Sequence, residues 1–206
     1  MEQNFKRITS TIFPTYLGID INMMPFIMGD IESIPHEYQH YYPLIKACNI
    51  PEAELGKVGY LSIMESLVLK GETQRRPGVH IERPSNESSW GGWGGGSSWG
   101  GAGGLYMGSN IDNMCRVWNK YIQSPGPLGD CSHLVNSLGE PTLLKGNEIY
   151  WMHDRCPHES ISIDRDVFRQ WFRVVTSDVG SWYSQHSTAN RLGVEPGCQI
   201  ITTSKF

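Results

Sequence analysis

The stretch Ser88–Asn110 reads SSWGGWGGGSSWGGAGGLYMGSN, and its reading decides whether the chain holds one domain or two. Nine of the residues from Gly91 to Gly104 are glycine, and Trp90, Trp93 and Trp99 stand among or beside them. Such a segment serves either as a slack linker between domains or as a long loop inside one. Strand-like sequence adjoins it on both sides, VHIE at 79–82 and LYMG at 105–108. A linker should separate two parts that can each bury a core. The part before this one is too short and holds too few strands to fold alone, so 1–206 reads as a single domain with an internal loop at 88–104.

Outward from that loop, the texture is β. KVGYLSIMESLVLKG (57–71) is apolar and strand-forming, and GVHIE (78–82) is a short strand bounded by RRP and RPS. Downstream, GGLYMG, NMCRVWNKYI, PTLLKG, NEIYWMHD and RQWFRVVTSDVGSWYSQ are separated by Gly, Pro, Asn and Asp clusters. That spacing predicts an all-β sandwich or barrel over 56–185, with a turn at KGNE (145–148). The first 55 residues differ. IPHEYQHYYPLIKACNIPEAE (34–54) predicts a short helix or two packed on the main body, and 186–206 is a polar tail wrapping the surface.

Composition narrows the function classes. A net charge of -4 and a pI near 6.0 leave no electrostatic footprint for nucleic acid or an anionic membrane. No apolar run approaches the length of a membrane span, and the N-terminal MEQNFKRITSTIF is polar and mixed. The five cysteines are odd in number and form no CxxC pair, as expected of small buried residues in a reduced, cytoplasmic protein.

One constellation carries chemistry. On a strand, His80 and Glu82 share a face, so an imidazole and a carboxylate can converge on one point. YWMHDRCPHES (150–160) supplies His158, preferred over His153 because a Pro-His at a strand end suits a barrel rim. Two histidines and one carboxylate are the facial triad that holds Fe(II) with open positions for other ligands. In RQWFRVV, Arg169, Trp171 and Arg173 share one strand face. An arginine turned inward is costly unless it meets an anion, and its planar fork suits a carboxylate. The same alternation leaves an edge strand with both arginines in water as the other reading. Arg75 and Arg76 abut the His80 strand, either near an acidic substrate group or in a solvated turn. Arg116 and Asn119 are candidates to line the pocket, and a Cys156–His158 nucleophile depends on their mutual geometry.

An H-x-E pair, a distal His and an Arg about ten residues beyond it resemble the double-stranded β-helix, cupin-like Fe(II)/2-oxoglutarate-dependent oxygenases. The resemblance covers roughly 57–183. It implies a jelly-roll barrel in which His80, Glu82 and His158 bind iron. It also implies that Arg169, or in second place Arg173, binds the distal carboxylate of 2-oxoglutarate. The implied partners are dioxygen and a small-molecule substrate oxidised at a C–H bond. Glu82 stands where the commonest form has Asp, which keeps a cupin-type metalloenzyme without 2-oxoglutarate as an alternative. A further alternative is a non-catalytic β-sandwich that binds through the Trp/Gly loop. If the triad holds, Trp90, Trp93 and Trp99 sit on a loop starting at the pocket rim and form a lid over it, with Arg76, Arg116 and Asn119 on the substrate side.

Overall fold

Apolar runs punctuated by glycine and proline become strands in the computed structural model, which describes residues 3–82 and 104–204. In chain order these are β1 (Phe5–Ser10), β2 (Asp20–Ile27), β3 (Val58–Val68), β4 (Leu105–Ser109), β5 (Cys115–Val117) and β6 (Thr142–Leu143). They continue with β7 (Glu148–Met152), β8 (His158–Ser160), β9 (Val167–Val175), β10 (Ser181–Tyr183) and β11 (Gln199–Ile201). The chain is mainly β. Helix is confined to short pieces, chiefly α1 (Tyr42–Ala47) and the 3-10 turn His36–Tyr41 that leads into it.

Six strands form one antiparallel sheet in the order β1-β7-β4-β9-β3-β2. A smaller antiparallel sheet runs β6-β5-β8. The stretch VHIE, read from sequence as a strand, makes only a bridge: His80 pairs with His158 on the free side of β8 and with Asp130 on its own other side. β10 and β11 form a separate parallel pair, which ties the C-terminal tail to the body.

The large sheet is buried on both faces, and this explains its sequence. On one face Leu61, Ile63, Phe172 and Val174 pack against Phe26, Tyr41 and Leu44 from the N-terminal segment. On the other, Tyr60, Met107, Trp171 and Val175 pack toward Cys115 and Val117 of the small sheet. Each large apolar side chain buried here contributes about 1.5–3 kcal/mol. Strands covered on both sides lose the clean apolar-polar alternation, so the pattern of β9 alone did not reveal which way its arginines point.

The N-terminal segment departs from the expected helical appendage. It does carry the helical turns, but it also supplies β1 and β2, the two edge strands of the large sheet. β2 contains Pro25, tolerated because an edge strand need not donate every N–H to a neighbour. The turn at KGNE is present, with Asn147 at φ 56 in the left-handed region that asparagine tolerates. Among the described residues no helix is long and apolar enough to cross a membrane. Of the cysteines, Cys48, Cys115, Cys131 and Cys156 are buried, Cys198 is partly exposed, and all are free thiols.

Candidate metal centre

His80 and His158 are brought together by backbone. The His80 N–H donates to the His158 carbonyl and the His158 N–H to the His80 carbonyl, each at 3.0 Å. Directly paired residues on adjacent strands share a face, and the two imidazole centroids lie 4.6 Å apart. The pairing continues as Glu82 N–H donates to the Asp154 carbonyl at 3.0 Å, which places Glu82 beside the same two rings. The ligand atoms of His80, Glu82 and His158 all lie within 4.8 Å of one another, a group that can hold a metal ion. Donors bound at about 2.1 Å on one face of an ion stand about 3 Å apart, so closing the set takes side-chain shifts of about an ångström.

The rings are already oriented for ligation. Nδ1 of His80 bonds the Gly78 carbonyl at 2.7 Å, and Nδ1 of His158 bonds the Cys156 carbonyl at 3.0 Å. A carbonyl only accepts, so in the neutral ring Nδ1 carries the hydrogen and Nε2 keeps its lone pair for a metal. Burial, with His158 next, pulls His80 down to about 3, so that ring is neutral at physiological pH. Burial alone would push Glu82 up. Arg173 above all, and then the two histidines, hold its carboxyl well below the usual range. A neutral imidazole at His80 and an anionic carboxylate at Glu82 result.

β9 provides the cavity wall. Cross-strand register pairs Arg169 with Ser66, Trp171 with Met64 and Arg173 with Ser62, all on the face toward the small sheet. Arg173 donates from Nη1 to Glu82 Oε1 at 3.1 Å and from Nη2 to Asn22 Oδ1 at 3.3 Å, so it braces the carboxylate of the triad. Arg169 is 1% exposed, and its Nε donates to Ser109 Oγ at 3.1 Å. Its Nη1 is buried with no hydrogen-bond partner among the described residues. Burial pulls the Arg169 guanidinium down to about 10, still charged at neutral pH. His80, Glu82, His158, Arg169 and Arg173 line one cavity of about 280 Å³.

Comparison with protein-family models, curated proteins and solved structures finds no match.

Other residues singled out in the sequence fall inside and outside this cavity. Arg75 and Arg76 line it. Arg116 does not: its side chain pairs with Glu159 and lies near Trp118. Asn119 is also elsewhere, its Oδ1 accepting from the Asn4 N–H at 2.9 Å. Arg116 points away because Cys115 and Val117 take the inward positions of β5, while Asn119 lies beyond the end of that strand. His153 Nδ1 lies 2.7 Å from Asp154 Oδ1 and accepts from the Arg155 N–H at 3.1 Å, and His153 is not in the metal-binding group. The Cys156 thiol points at the Trp118 carbonyl and burial pushes its pKa up, so it is not poised as a nucleophile beside His158. Trp90, Trp93 and Trp99, with the lid expected of them, lie outside the described residues.

Several contributors carried no sequence signal. Asn22 reaches Arg173 because β2 bulges between Ile21 and Met24, with Met23 at φ 49. A bulge inserts a residue and re-aims its neighbours, here turning Asn22 into the cavity. The bulge is held by Met23 N–H donating to Ser62 Oγ and by Trp182 Nε1 donating to the Met23 carbonyl. Nothing in DINMMPFI announces it.

Proposed function

We propose that this protein is an Fe(II)- and 2-oxoglutarate-dependent oxygenase of the double-stranded β-helix class, oxidising a small molecule at a C–H bond. The observation that carries the reading is Arg169: a buried, charged guanidinium with a nitrogen that has no partner among the described residues, in the same cavity as a His-Glu-His group. A buried cation without a counter-ion costs several kcal/mol, a cost offset when a carboxylate enters.

The order of strands supports the same reading. From β3 the chain visits the large sheet, then the small side through the His80 bridge, then the large sheet again with β4. β5 and β6 follow in the small sheet, β7 in the large, β8 in the small and β9 in the large. Two facing sheets wound in this alternation are the layout of a jelly roll. The metal-binding residues stand at the mouth, on the bridge and the start of β8, while Arg169 reaches in from β9.

His80, Glu82 and His158 would hold Fe(II), which suits a 2-His-1-carboxylate set, and the iron with 2-oxoglutarate would supply the oxidising chemistry. The protein's own tasks are positional. The Gly78 and Cys156 carbonyls fix the imidazole tautomers, and Arg173 keeps Glu82 ionised and aimed. Arg169, oriented by Ser109, offers its free Nη1 to the distal carboxylate. The apolar walls from Leu105, Met107 and Trp171 exclude water from this end.

The test is anaerobic addition of Fe(II) and then 2-oxoglutarate, followed by turnover in air. The reading expects a visible charge-transfer band and succinate release, both lost in Arg169→Ala. Iron binding without the band would indicate a metalloenzyme that uses no oxo acid. Loss in Arg173→Ala alone would move the carboxylate contact to Arg173.

A further inference from the structure

The cavity is far more basic than the chain that encloses it. The protein carries a net charge of -4, yet four arginines and a single carboxylate line this space among the described residues. Arg173 is engaged by Glu82, and on the proposed function Arg169 is engaged by the cosubstrate. A divalent metal and a dianionic oxo acid cancel one another, so their arrival leaves the excess in place. No further carboxylate among the lining residues is left for Arg75 and Arg76, with Asp20 acting on Arg75 and Asp130 on Arg76 from outside the cavity.

Arg75 is built into the site. Gln74 next to it donates from Nε2 to the Met64 carbonyl at 3.3 Å, to Ser66 Oγ at 2.9 Å and to the Arg169 carbonyl at 3.1 Å. These bonds pin the segment across β3 and β9, and the Arg75 guanidinium then lies 4.1 Å from the Trp171 ring centroid. Stacking on an indole fixes the plane of the fork while leaving its N–H edge free. Among the described residues its side chain donates from Nη1 to Met64 Sδ at 3.9 Å, a weak acceptor. Burial, with Arg173 next, pulls the half-buried guanidinium down to about 10, the mark of a cation held among cations. Arg76 stands at the rim, donating from Nη1 to the Leu128 carbonyl at 2.8 Å.

We infer that the substrate carries an oxyanion, a carboxylate or phosphate, which Arg75 binds from its stacked position on Trp171 while Arg76 flanks the entrance. This rests on the proposed function for the identity of the other anion in the cavity, but the Arg75 contact can be read without turnover. The oxyanion and the oxo acid occupy different arginines and bind together. Recognition by two charges at one end leaves the rest of the substrate directed at the metal.

The experiment uses the full chain loaded with Mn(II), saturated with 2-oxoglutarate, and titrated with inorganic phosphate in one arm and acetate in the other. Paramagnetic broadening of the phosphorus resonance, or of the acetate methyl resonance, reports binding near the metal. The expected result is saturable broadening by at least one anion in the presence of 2-oxoglutarate. Its apparent affinity should fall roughly 10–100-fold in Arg75→Gln and be largely kept in Arg75→Lys, as for loss of one charge-assisted bond. The arm that saturates identifies phosphate or carboxylate. Broadening unchanged in Arg75→Gln, or seen only when 2-oxoglutarate is omitted, overturns the inference. If Mn(II) does not bind, the metal reading fails by itself. Calorimetric titration of phosphate and acetate into the metal-free wild type and Arg75→Gln then decides the inference by the same ratio.

Discussion

The two faces of β9 place polar groups in opposite circumstances. On the face toward the N-terminal segment, Gln170 donates from Nε2 to Glu65 Oε1 at 2.8 Å, to Tyr41 Oη at 2.9 Å and to the Pro14 carbonyl at 3.0 Å. Glu65 also accepts from Tyr41 and from the N–H groups of Leu17 and Ile19. On the other face, one residue before Gln170 and three after it, Arg169 and Arg173 are as deeply buried, but Arg169 Nη1 and Arg173 Nε have no partner among the described residues. Buried polar groups that are satisfied make structure; those left open in a cavity are positioned for something that is not part of the chain. One strand thus serves as scaffold on one side and as site on the other.

Substitutions on the two faces should separate stability from binding. The largest effect on stability belongs to the satisfied face. Glu65→Ala strands Tyr41, Gln170 and two backbone N–H groups, and should lower unfolding free energy by about 3 kcal/mol in denaturant titration. The same network makes stability depend on acid. Burial acts to raise Glu65, but the bonds from Ile19, Tyr41, Gln170 and Leu17 outweigh it and hold its pKa below the ordinary 4.5. A folded value below the unfolded one means the contribution is complete above 4.5 and is lost as pH falls through the lowered value. Glu65→Gln should flatten that acid-side loss. If its stability kept the wild-type slope below 4.5, the network would not be the cause.

On the open face the expectation reverses. Arg169→Met removes a buried charge and fills similar volume, so stability should stay within about 1 kcal/mol of wild type or rise. The variant should nonetheless lose 2-oxoglutarate binding. Equal loss of stability and binding would make Arg169 a structural residue and erase the contrast between the faces.

The comparison also explains what the sequence could reveal. His80, Glu82 and His158 were legible because their chemistry depends on residue type and on period-two spacing, and the structure gathers all three. The shared face of Arg169, Trp171 and Arg173 was legible for the same reason. Which way that face looks was not, since Phe172 and Val174 are buried too and both sides read as core. Arg116 and Asn119 stand on opposite sides of an extended strand, and a three-residue β5 that ends before Asn119 leaves the inward side to be set by its neighbours. The edge strands β1 and β2 were missed because FKRITS is mostly polar and DINMMPFI is broken by a proline and a bulge. Arg75 gained its place only from the Gln74 clamp and the Trp171 ring, contacts between segments almost a hundred residues apart in sequence.

Metal binding by the wild-type chain, set beside His158→Ala, tests the central claim most directly. Equilibrium dialysis against Fe(II) under anaerobic conditions should give one ion per chain. In His158→Ala the affinity should drop by about 100-fold or more, with the fold intact by circular dichroism. Wild-type protein that takes up no ion, or a His158→Ala variant that binds as tightly as wild type, would contradict the assignment of His80, Glu82 and His158 as a metal centre.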